Sequence, residues 1–228
     1  MKKPNENLPQ SWDPIWEEVF LNQEWGKYPS ENLIQFVARN FYKFKRDNIR
    51  ILEVGCGTGA NIWYIAREGF LAYGIDGSKS GIDQAKKRIK DEGLTANLVV
   101  GDVIELPYQD NFFDAVIDVE CLVANNHDNT KLILKEISRI LKKDGLFYSR
   151  TLSEKTHVGT EFTQYNKYEF NDVNSGPAKG KGFFRLIDED EILNLYSKNF
   201  KIISVDLLEY TQNNKKEFIS EYIIITKK

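Results

Sequence analysis

Cysteine and histidine are scarce in this sequence, which has only two residues of each type among 228. Cys56 and Cys121 lie far apart and lack the close pairing of zinc ligands, so we expect neither a zinc site nor a disulfide framework. Two separate thiols are compatible with a reducing compartment, and we expect a cytoplasmic protein.

Long hydrophobic runs and an excess of one charge are also missing. No segment is long enough to span a bilayer, and the polar residues 1–7 are not followed by an apolar stretch, so we expect neither membrane insertion nor export. The formal net charge is −3, and the lysines are scattered among carboxylates, which excludes the basic stripe of a nucleic-acid-binding protein. We expect a small-molecule partner and a monomer or homodimer.

From residue 48 onward, short apolar segments alternate with amphipathic ones. Segments that are apolar throughout are typical of a parallel sheet covered on both faces. The predicted strands are residues 49–54, 71–75, 97–100, 113–119, 146–149, 200–209 and 217–226, and the predicted helices are residues 61–68, 78–91, 129–141 and 188–198. The sequence therefore predicts a doubly wound, Rossmann-like α/β fold with a mostly parallel seven-stranded sheet and a terminal antiparallel hairpin.

The length suits one α/β domain with an insertion. Residues 1–47 carry helical patterns, and we predict that they form a helical lid or cap in which Trp12 and Trp16 pack onto the core. Residues 48–228 form the main domain. Within it, residues 152–182 are polar, glycine-containing and without a clear period, which predicts an irregular insertion that closes over a ligand.

A glycine-rich turn follows the first predicted strand, in the run from Glu53 through Gly55, Gly57 and Gly59 to the next helix. Such turns lie at the carboxyl edge of an α/β sheet, where ligands bind, and glycine lets a ligand approach the backbone. Asp76 closes the second strand about 20 residues later, where an acid accepts hydrogen bonds from ribose hydroxyls. The same pattern fits a dinucleotide fingerprint, so an NAD(P)-dependent oxidoreductase is an alternative.

The acidic-x-Gly-x-Gly-x-Gly run from Glu53 to Gly59 resembles the hallmark of class I S-adenosylmethionine-dependent methyltransferases, and the resemblance spans roughly residues 49–149. It implies S-adenosylmethionine as cofactor and S-adenosylhomocysteine as product. In that family Asp76 would bind the ribose, Asp102 the adenine amine and Asp118 the methionine amino group. The cofactor-binding residues predicted in the core are Glu53, Gly55, Gly57, Gly59, Asp76, Gly77, Ser78, Asp102, Val103 and Asp118.

Two regions outside the strands carry further candidate residues. Trp25 and Tyr28 lie in a turn with glycine and proline, which suits a hinged lid, and an aromatic face attracts a sulfonium by roughly 0.5–2 kcal/mol. We predict that both contact the cofactor. Lys179, Lys181 and Arg185 surround Gly180 in or just after the insertion and can bind an anionic acceptor, although a solvated loop is the simpler interpretation.

Methyl transfer from a sulfonium is a direct displacement, so alignment of the reactants supplies much of the catalysis. A hydroxyl or protonated amine acceptor also needs a base, and we predict Glu120, His127 and His157 as candidates. The expected reaction is methyl transfer to an oxygen or nitrogen of a small molecule. A non-catalytic cofactor-binding module is a second alternative to this function.

A metal-assisted variant of the reaction would place Asp118 and Asp128, with Asn125 or Asn126, around a divalent cation, because magnesium prefers oxygen ligands. The spacing of these residues does not require such a site. We predict no metal.

Overall fold

The computed structural model describes residues 9–228. Ten strands are present in this part of the chain: β1 (Arg50–Val54), β2 (Leu71–Asp76), β3 (Ala96–Val100), β4 (Phe113–Val119), β5 (Leu141–Leu152), β6 (Thr163–Gln164), β7 (Glu169–Asn171), β8 (Phe184–Arg185), β9 (Lys201–Gln212) and β10 (Glu217–Lys227). Seven of them form one sheet in the order β3-β2-β1-β4-β5-β10-β9. Strands β1 to β5 are parallel, and β10 is antiparallel to both β5 and β9. The predicted fold class is confirmed.

Six α-helices connect and cover these strands within residues 9–228. They are α1 (Ile15–Asn22), α2 (Glu31–Phe41), α3 (Ala60–Arg67), α4 (Lys79–Asp91), α5 (His127–Ile140) and α6 (Glu189–Tyr196). Side chains cap three of them, because Ser78, Asn126 and Asp188 each accept a hydrogen bond from a backbone N–H in the first turn of α4, α5 and α6. None of the helices described is long and apolar enough to cross a membrane.

The large sheet buries side chains on both faces. One apolar cluster includes Phe113, Phe147 and Tyr196 under α5 and α6, and the other includes Ile51 and Tyr148 under α2, α3 and α4. The four residues from Ile51 to Val54 in β1 are all buried, as a central parallel strand requires. This double burial explains why the strands read as continuous apolar runs.

The predicted start of the fifth strand is wrong. Strand β5 begins at Leu141, directly after α5 ends at Ile140, whereas the sequence pattern ended the helix at residue 141 and started the strand at residue 146. Periodicity misses this boundary because Leu141 is buried in both conformations, as the end of an apolar helix face and as the partner of Phe113 in the sheet.

The insertion also differs from its prediction. Residues 152–182 were expected to be irregular, but β6, β7 and β8 form a three-stranded antiparallel sheet in and beside this segment. Phe170, Val173 and Phe184 pack with Val123 and Leu152 of the main domain in a third apolar cluster. These contacts are between residues far apart in sequence, so no local hydrophobic period predicts them. Residues 1–8 of the predicted lid lie outside the described residues, and the proposed division at residue 47 stays a prediction.

Candidate functional site

A cavity of about 270 Å³ lies where the parallel strands end. Its walls include Gly55 and Gly57 after β1, Gly77 after β2, Val103 after β3 and Glu120 after β4. Parallel strands bring their carboxyl ends to one edge, and the crevice at that edge is the usual ligand site of open α/β sheets. Residues from the N-terminal segment and the insertion close the remaining sides.

The glycine-rich turn has a backbone that other residues adopt poorly. Gly55 and Gly57 have φ values of +65° and +47°, in the left-handed region. A Cβ at Gly57 would lie 2.9 Å from the ring of Phe20, and one at Gly55 would overlap the side chain of Cys121. Gly59, also at positive φ, is the N-cap residue of α3 and does not line the cavity. The turn is therefore shaped by close packing as well as by the ligand that it can admit.

Asp76 connects the loops after β1 and β2. Its carboxylate is buried and accepts hydrogen bonds from the backbone N–H of Gly57 and of Ser78, both at 2.8 Å. Burial raises the pKa of Asp76, and the two backbone bonds act in the opposite direction. Each carboxylate oxygen has a second lone pair, so a contact with ribose hydroxyls is compatible with these bonds and stays a prediction. Ser78 caps α4 and does not line the cavity.

The loop after β3 is held by the N-terminal segment. Asp102 accepts hydrogen bonds from the backbone N–H of Ser11 at 2.8 Å and from that of Ile104 at 3.0 Å, and the hydroxyl of Ser11 donates to it as well. Val103 lines the cavity, whereas Asp102 does not. The predicted adenine contacts of these residues are untested, but Ser11 already occupies part of the hydrogen-bonding capacity of Asp102.

Glu53 presents a carboxylate oxygen without a partner to this region. Its Oε1 accepts from Asn61 Nδ2 at 2.5 Å, whereas its Oε2 is buried with no hydrogen-bond partner among the described residues. Burial, followed by the charges of Asp76 and Asp118, raises the pKa of Glu53 to about 8. A buried carboxylate oxygen in a ligand cavity calls for a cation or a hydrogen-bond donor.

Asp118 has its oxygens engaged by the protein. One accepts from the backbone N–H groups of Cys121 at 2.9 Å and Leu122 at 3.1 Å, and the other accepts from Ser149 Oγ at 2.5 Å. Burial raises the pKa of Asp118 to about 6. Asp118 does not line the cavity. Its predicted contact with the methionine amino group stays a prediction.

The N-terminal segment covers the mouth of the cavity with aromatic rings. Trp12 lies against Gly77, leaving no space for a Cβ there, and Trp16, Phe20 and Trp25 pack on one another with centroid distances of 5.5–6.0 Å. All four line the cavity. Trp12 and Trp16, interpreted from sequence as core packing, are therefore wall residues. Periodicity alone could not assign them, because a buried stripe and a lid face have the same spacing.

A carboxylate of α1 fixes this segment to the main domain. Glu17 accepts hydrogen bonds from the hydroxyls of Ser78 and Ser80, both at 2.5 Å, at the N-terminus of α4. The bonds lower the pKa of Glu17. Tyr28, in contrast, is 75% exposed and packs edge-on against Trp63 with a centroid distance of 5.5 Å. Tyr28 does not line the cavity, and its predicted cofactor contact stays untested.

Of the three predicted catalytic residues, only Glu120 lines the cavity. His127 begins α5, and its Nδ1 lies 3.1 Å from Glu191 Oε2. His157 lies beside β10, and its Nε2 is 3.4 Å from Ser175 Oγ. The structure therefore places both imidazoles away from the cavity walls, although their catalytic roles have not been tested.

Glu120 belongs to a buried ionic group behind the cavity wall. Its backbone is left-handed, with φ +62°, and its carboxyl contacts Glu221. Arg150 binds Glu221 through two nitrogens, Nε at 3.0 Å and Nη2 at 2.5 Å. Burial and the charge of Glu221 raise the pKa of Glu120, whereas Arg150 and Lys181 lower it. A carboxyl with a raised pKa at a cavity wall is suited to accept a proton near neutral pH.

The metal-assisted alternative finds little support in the described residues. The oxygens of Asp118 accept hydrogen bonds from the protein, and Asp128 is exposed and pairs with Lys131 at 3.0 Å. Across residues 9–228, no group of three or more His, Cys, Asp or Glu side chains is arranged to hold a metal ion.

Comparisons with known proteins point to one family. Residues 51–145 match the family described as a methyltransferase domain. Over 100 residues the chain is 37% identical to the fatty-acid O-methyltransferase of Mycolicibacterium smegmatis, covering 43% of this chain and 35% of that protein. Over 129 residues it is 31% identical to the ubiquinone biosynthesis O-methyltransferase of Pelagibacter ubique, covering 56% of this chain and 52% of that protein. The chain thus spans about half or less of these curated relatives.

A solved structure extends the likeness beyond the matched region. The S-adenosylmethionine-dependent methyltransferase of Methanosarcina mazei superposes with a TM-score of 0.69 at 19% identity, covering 88% of this chain and 98% of that one. At this identity the superposition shows the shared fold, including the β9–β10 hairpin of the seven-stranded sheet.

Proposed function

Because the chain contains a class I S-adenosylmethionine-dependent methyltransferase domain, matched over residues 51–145, we propose that it transfers the methyl group of S-adenosylmethionine to an oxygen or nitrogen of a small molecule. The observation that carries this proposal is the set of ionisable groups on the cavity wall. Among residues 9–228, four carboxyl side chains line the cavity, those of Asp13, Glu53, Asp76 and Glu120, against one ammonium, that of Lys181. A ligand with a sulfonium and an ammonium stabilises the ionised form of such carboxyls, whereas the two phosphates of a dinucleotide disfavour it.

The residues present fit that cofactor. The unpartnered Oε2 of Glu53 would accept a hydrogen bond from the ammonium group of the cofactor, Asp76 would bind the ribose, and Val103 would lie against the adenine. The aromatic face of Trp12 would attract the positive charge of the sulfonium. When bound, the cofactor supplies an electrophilic methyl group that can be displaced directly. The protein then has to align the acceptor, exclude water and accept a proton.

Glu120 is the proposed base. It is the predicted catalytic residue that lines the cavity, and Arg150 compensates the negative charge of the adjacent Glu221. A carboxylate whose pKa is raised binds the acceptor proton more strongly than an exposed glutamate does. The names of both curated relatives specify O-methyltransferases, which favours oxygen as the accepting atom.

Isothermal titration calorimetry tests the cofactor first. Purified full-length protein should bind S-adenosylhomocysteine and should not bind NAD⁺ or NADP⁺, because the cavity is acidic. Binding of a nicotinamide cofactor without S-adenosylhomocysteine would overturn the proposal in favour of the oxidoreductase alternative.

A labelled-methyl assay then tests the reaction. The protein is incubated with labelled S-adenosylmethionine and pools of small hydroxyl and amino compounds, and labelled products are identified. Glu120→Gln should form these products at least 100-fold more slowly, because a general base usually contributes a factor of about 100 or more to the rate. Glu24→Gln, an exposed change just before Trp25, is the control. Cofactor binding without any labelled product would favour the non-catalytic module.

A further inference from the structure

Lys181 provides the one cation on the cavity walls of the described chain, and its partner there is an aromatic ring and not a carboxylate. Its ammonium lies 5.1 Å from the centroid of the Trp25 ring. It forms no hydrogen bond or ion pair with a residue in the range 9–228. Lysines in cavities usually pair with a carboxylate, and Glu120, the lining carboxyl that influences it most, lies beyond ion-pair distance. An unpaired ammonium at the wall of a ligand cavity attracts electron-rich oxygen.

Asn125 supplies a second unsatisfied group in the lining of the same cavity. It lines the cavity, is 4% exposed, and its Oδ1 has no hydrogen-bond partner among the described residues. Its Nδ2 donates to the carbonyl of Cys121 at 3.2 Å, which fixes the amide so that the oxygen is the free atom. Arg185 Nε donates to the Asn125 carbonyl at 3.2 Å and holds the backbone in place. Asn125 therefore requires a hydrogen-bond donor from a ligand.

Much of the remaining lining is apolar and aromatic. Phe183 directly precedes β8 and Phe184 begins it, and Val123 and Leu152 come from the main domain. Phe184 belongs to the third apolar cluster, which ties these walls to the body of the protein. Trp25 completes the enclosure beneath Lys181. A flat, largely apolar molecule is the best match to such walls.

We propose that Lys181 and Asn125 form an acceptor subsite that selects a weakly acidic hydroxyl on a planar molecule, that is, a phenol or an enol. The proposal rests on the methyltransferase function proposed above and names its substrate class. The hydroxyl donates to Asn125 Oδ1 or Glu120, and its oxygen lies near the Lys181 ammonium. A carboxylate acceptor fits less well, because it has no proton to give to Asn125 and is repelled by Glu120.

The charges around the subsite set how it acts. Glu120 accepts the proton of the hydroxyl, and the negative charge left on the oxygen is stabilised by Lys181. In the methyl-transfer step that oxygen supplies the electron pair of the new O–C bond, and the pair of the broken C–S bond stays on the sulfur. Asp13 also lines the cavity, and its carboxylate lies beside Gly182, next to Lys181. Asp13 and Glu120 are thus two acidic groups of the lining that contains this ammonium.

The ionisation of a bound phenol gives a readout that is independent of turnover. The full-length protein is saturated with S-adenosylhomocysteine, 4-nitrophenol is added, and the absorbance of its phenolate is followed against pH. We expect the bound probe to ionise about one pH unit lower than the free probe, because an ammonium in a half-buried site favours the anion. Lys181→Met should abolish this shift, and Lys181→Arg should retain it.

Controls separate the possible results. Lys179→Met changes an exposed lysine of the same loop and should leave the shift intact. A shift that persists in Lys181→Met would overturn the proposal, as would tighter, Lys181-dependent binding of 4-nitrobenzoate, which would make the acceptor a carboxylate. Failure to bind S-adenosylhomocysteine at all would instead overturn the proposed function. If S-adenosylhomocysteine binds and the probe does not ionise differently, the subsite proposal alone is wrong.

Discussion

The unpartnered oxygen of Glu53 predicts that cofactor affinity depends on pH. Burial raises the pKa of Glu53 to about 8, so only about one molecule in ten carries the carboxylate at pH 7. The cofactor ammonium binds the ionised form, and each complex must therefore release a proton from Glu53. Affinity should rise about tenfold per pH unit between pH 6 and pH 7.5, equivalent to ~1.4 kcal/mol per unit. Above this range the α-amino group of the ligand itself loses its proton.

Two measurements check this expectation. S-Adenosylhomocysteine titrations can be followed through tryptophan fluorescence, since Trp12, Trp16 and Trp25 line the cavity. Calorimetry at pH 7 in buffers of different ionisation enthalpy should show release of about 0.9 proton on binding. Glu53→Gln should bind more weakly at pH 7.5, by about 1.5–3 kcal/mol, and its affinity should vary less with pH.

Glu18→Gln is a matched control, because Glu18 is an exposed glutamate of α1 in the segment that covers the cavity. Its pH profile should follow that of the wild type. An affinity of the wild-type protein that is constant from pH 6 to pH 7.5 would refute the reasoning. If the affinity of Glu53→Gln varied with pH as strongly as that of the wild type, the titrating group would be another lining carboxyl.

Three further predictions follow from buried or strained positions. The pKa of Asp118 is raised to about 6, so the wild-type protein should lose about 2.4 kcal/mol of unfolding free energy between pH 4 and pH 7 from this group, and the loss that urea unfolding finds in Asp118→Asn should be smaller by that amount. Gly57→Ala should lower the unfolding free energy by about 1–2 kcal/mol and weaken S-adenosylhomocysteine binding, because φ at this position is +47° and the new Cβ would meet the ring of Phe20. An affinity that calorimetry finds unchanged would contradict this prediction. His127→Gln and His157→Gln should keep methyl-transfer rates within about threefold of the wild type, since neither side chain lines the cavity, and a loss above tenfold would restore the histidine as a catalytic candidate.

The fold class and the position of the site could be predicted from local patterns. Mostly apolar runs without strict alternation, such as that from Ile51 to Val54, predict central parallel strands, and Gly55 and Gly57 mark the turn at the end of the first one. These signals are local, because hydrophobic period and glycine conformation depend on neighbouring residues. Glu120 was also among the sequence candidates, since the end of a parallel strand faces the ligand crevice.

The residues that close the site could not be assigned from their neighbours. Ser11 contacts Asp102 across 91 positions, and Glu17 contacts Ser78 across 61. The insertion gave no period, although it folds into a small sheet against Leu152. Contacts over such separations depend on how the chain returns to the sheet edge, which no local pattern encodes.

By itself, the sequence determined the fold class, the glycine-rich turn and the acidic strand ends, because each follows from the period and conformation of adjacent residues. Only the tertiary structure decided which polar groups are left without partners. It engaged Asp118 in hydrogen bonds with the protein and kept both histidines away from the walls. Among residues 9–228 it left Glu53 Oε2 without a hydrogen-bond partner and placed the Lys181 ammonium over an aromatic ring. Satisfaction of a buried polar atom depends on every element packed around it, and that is a property of the folded chain.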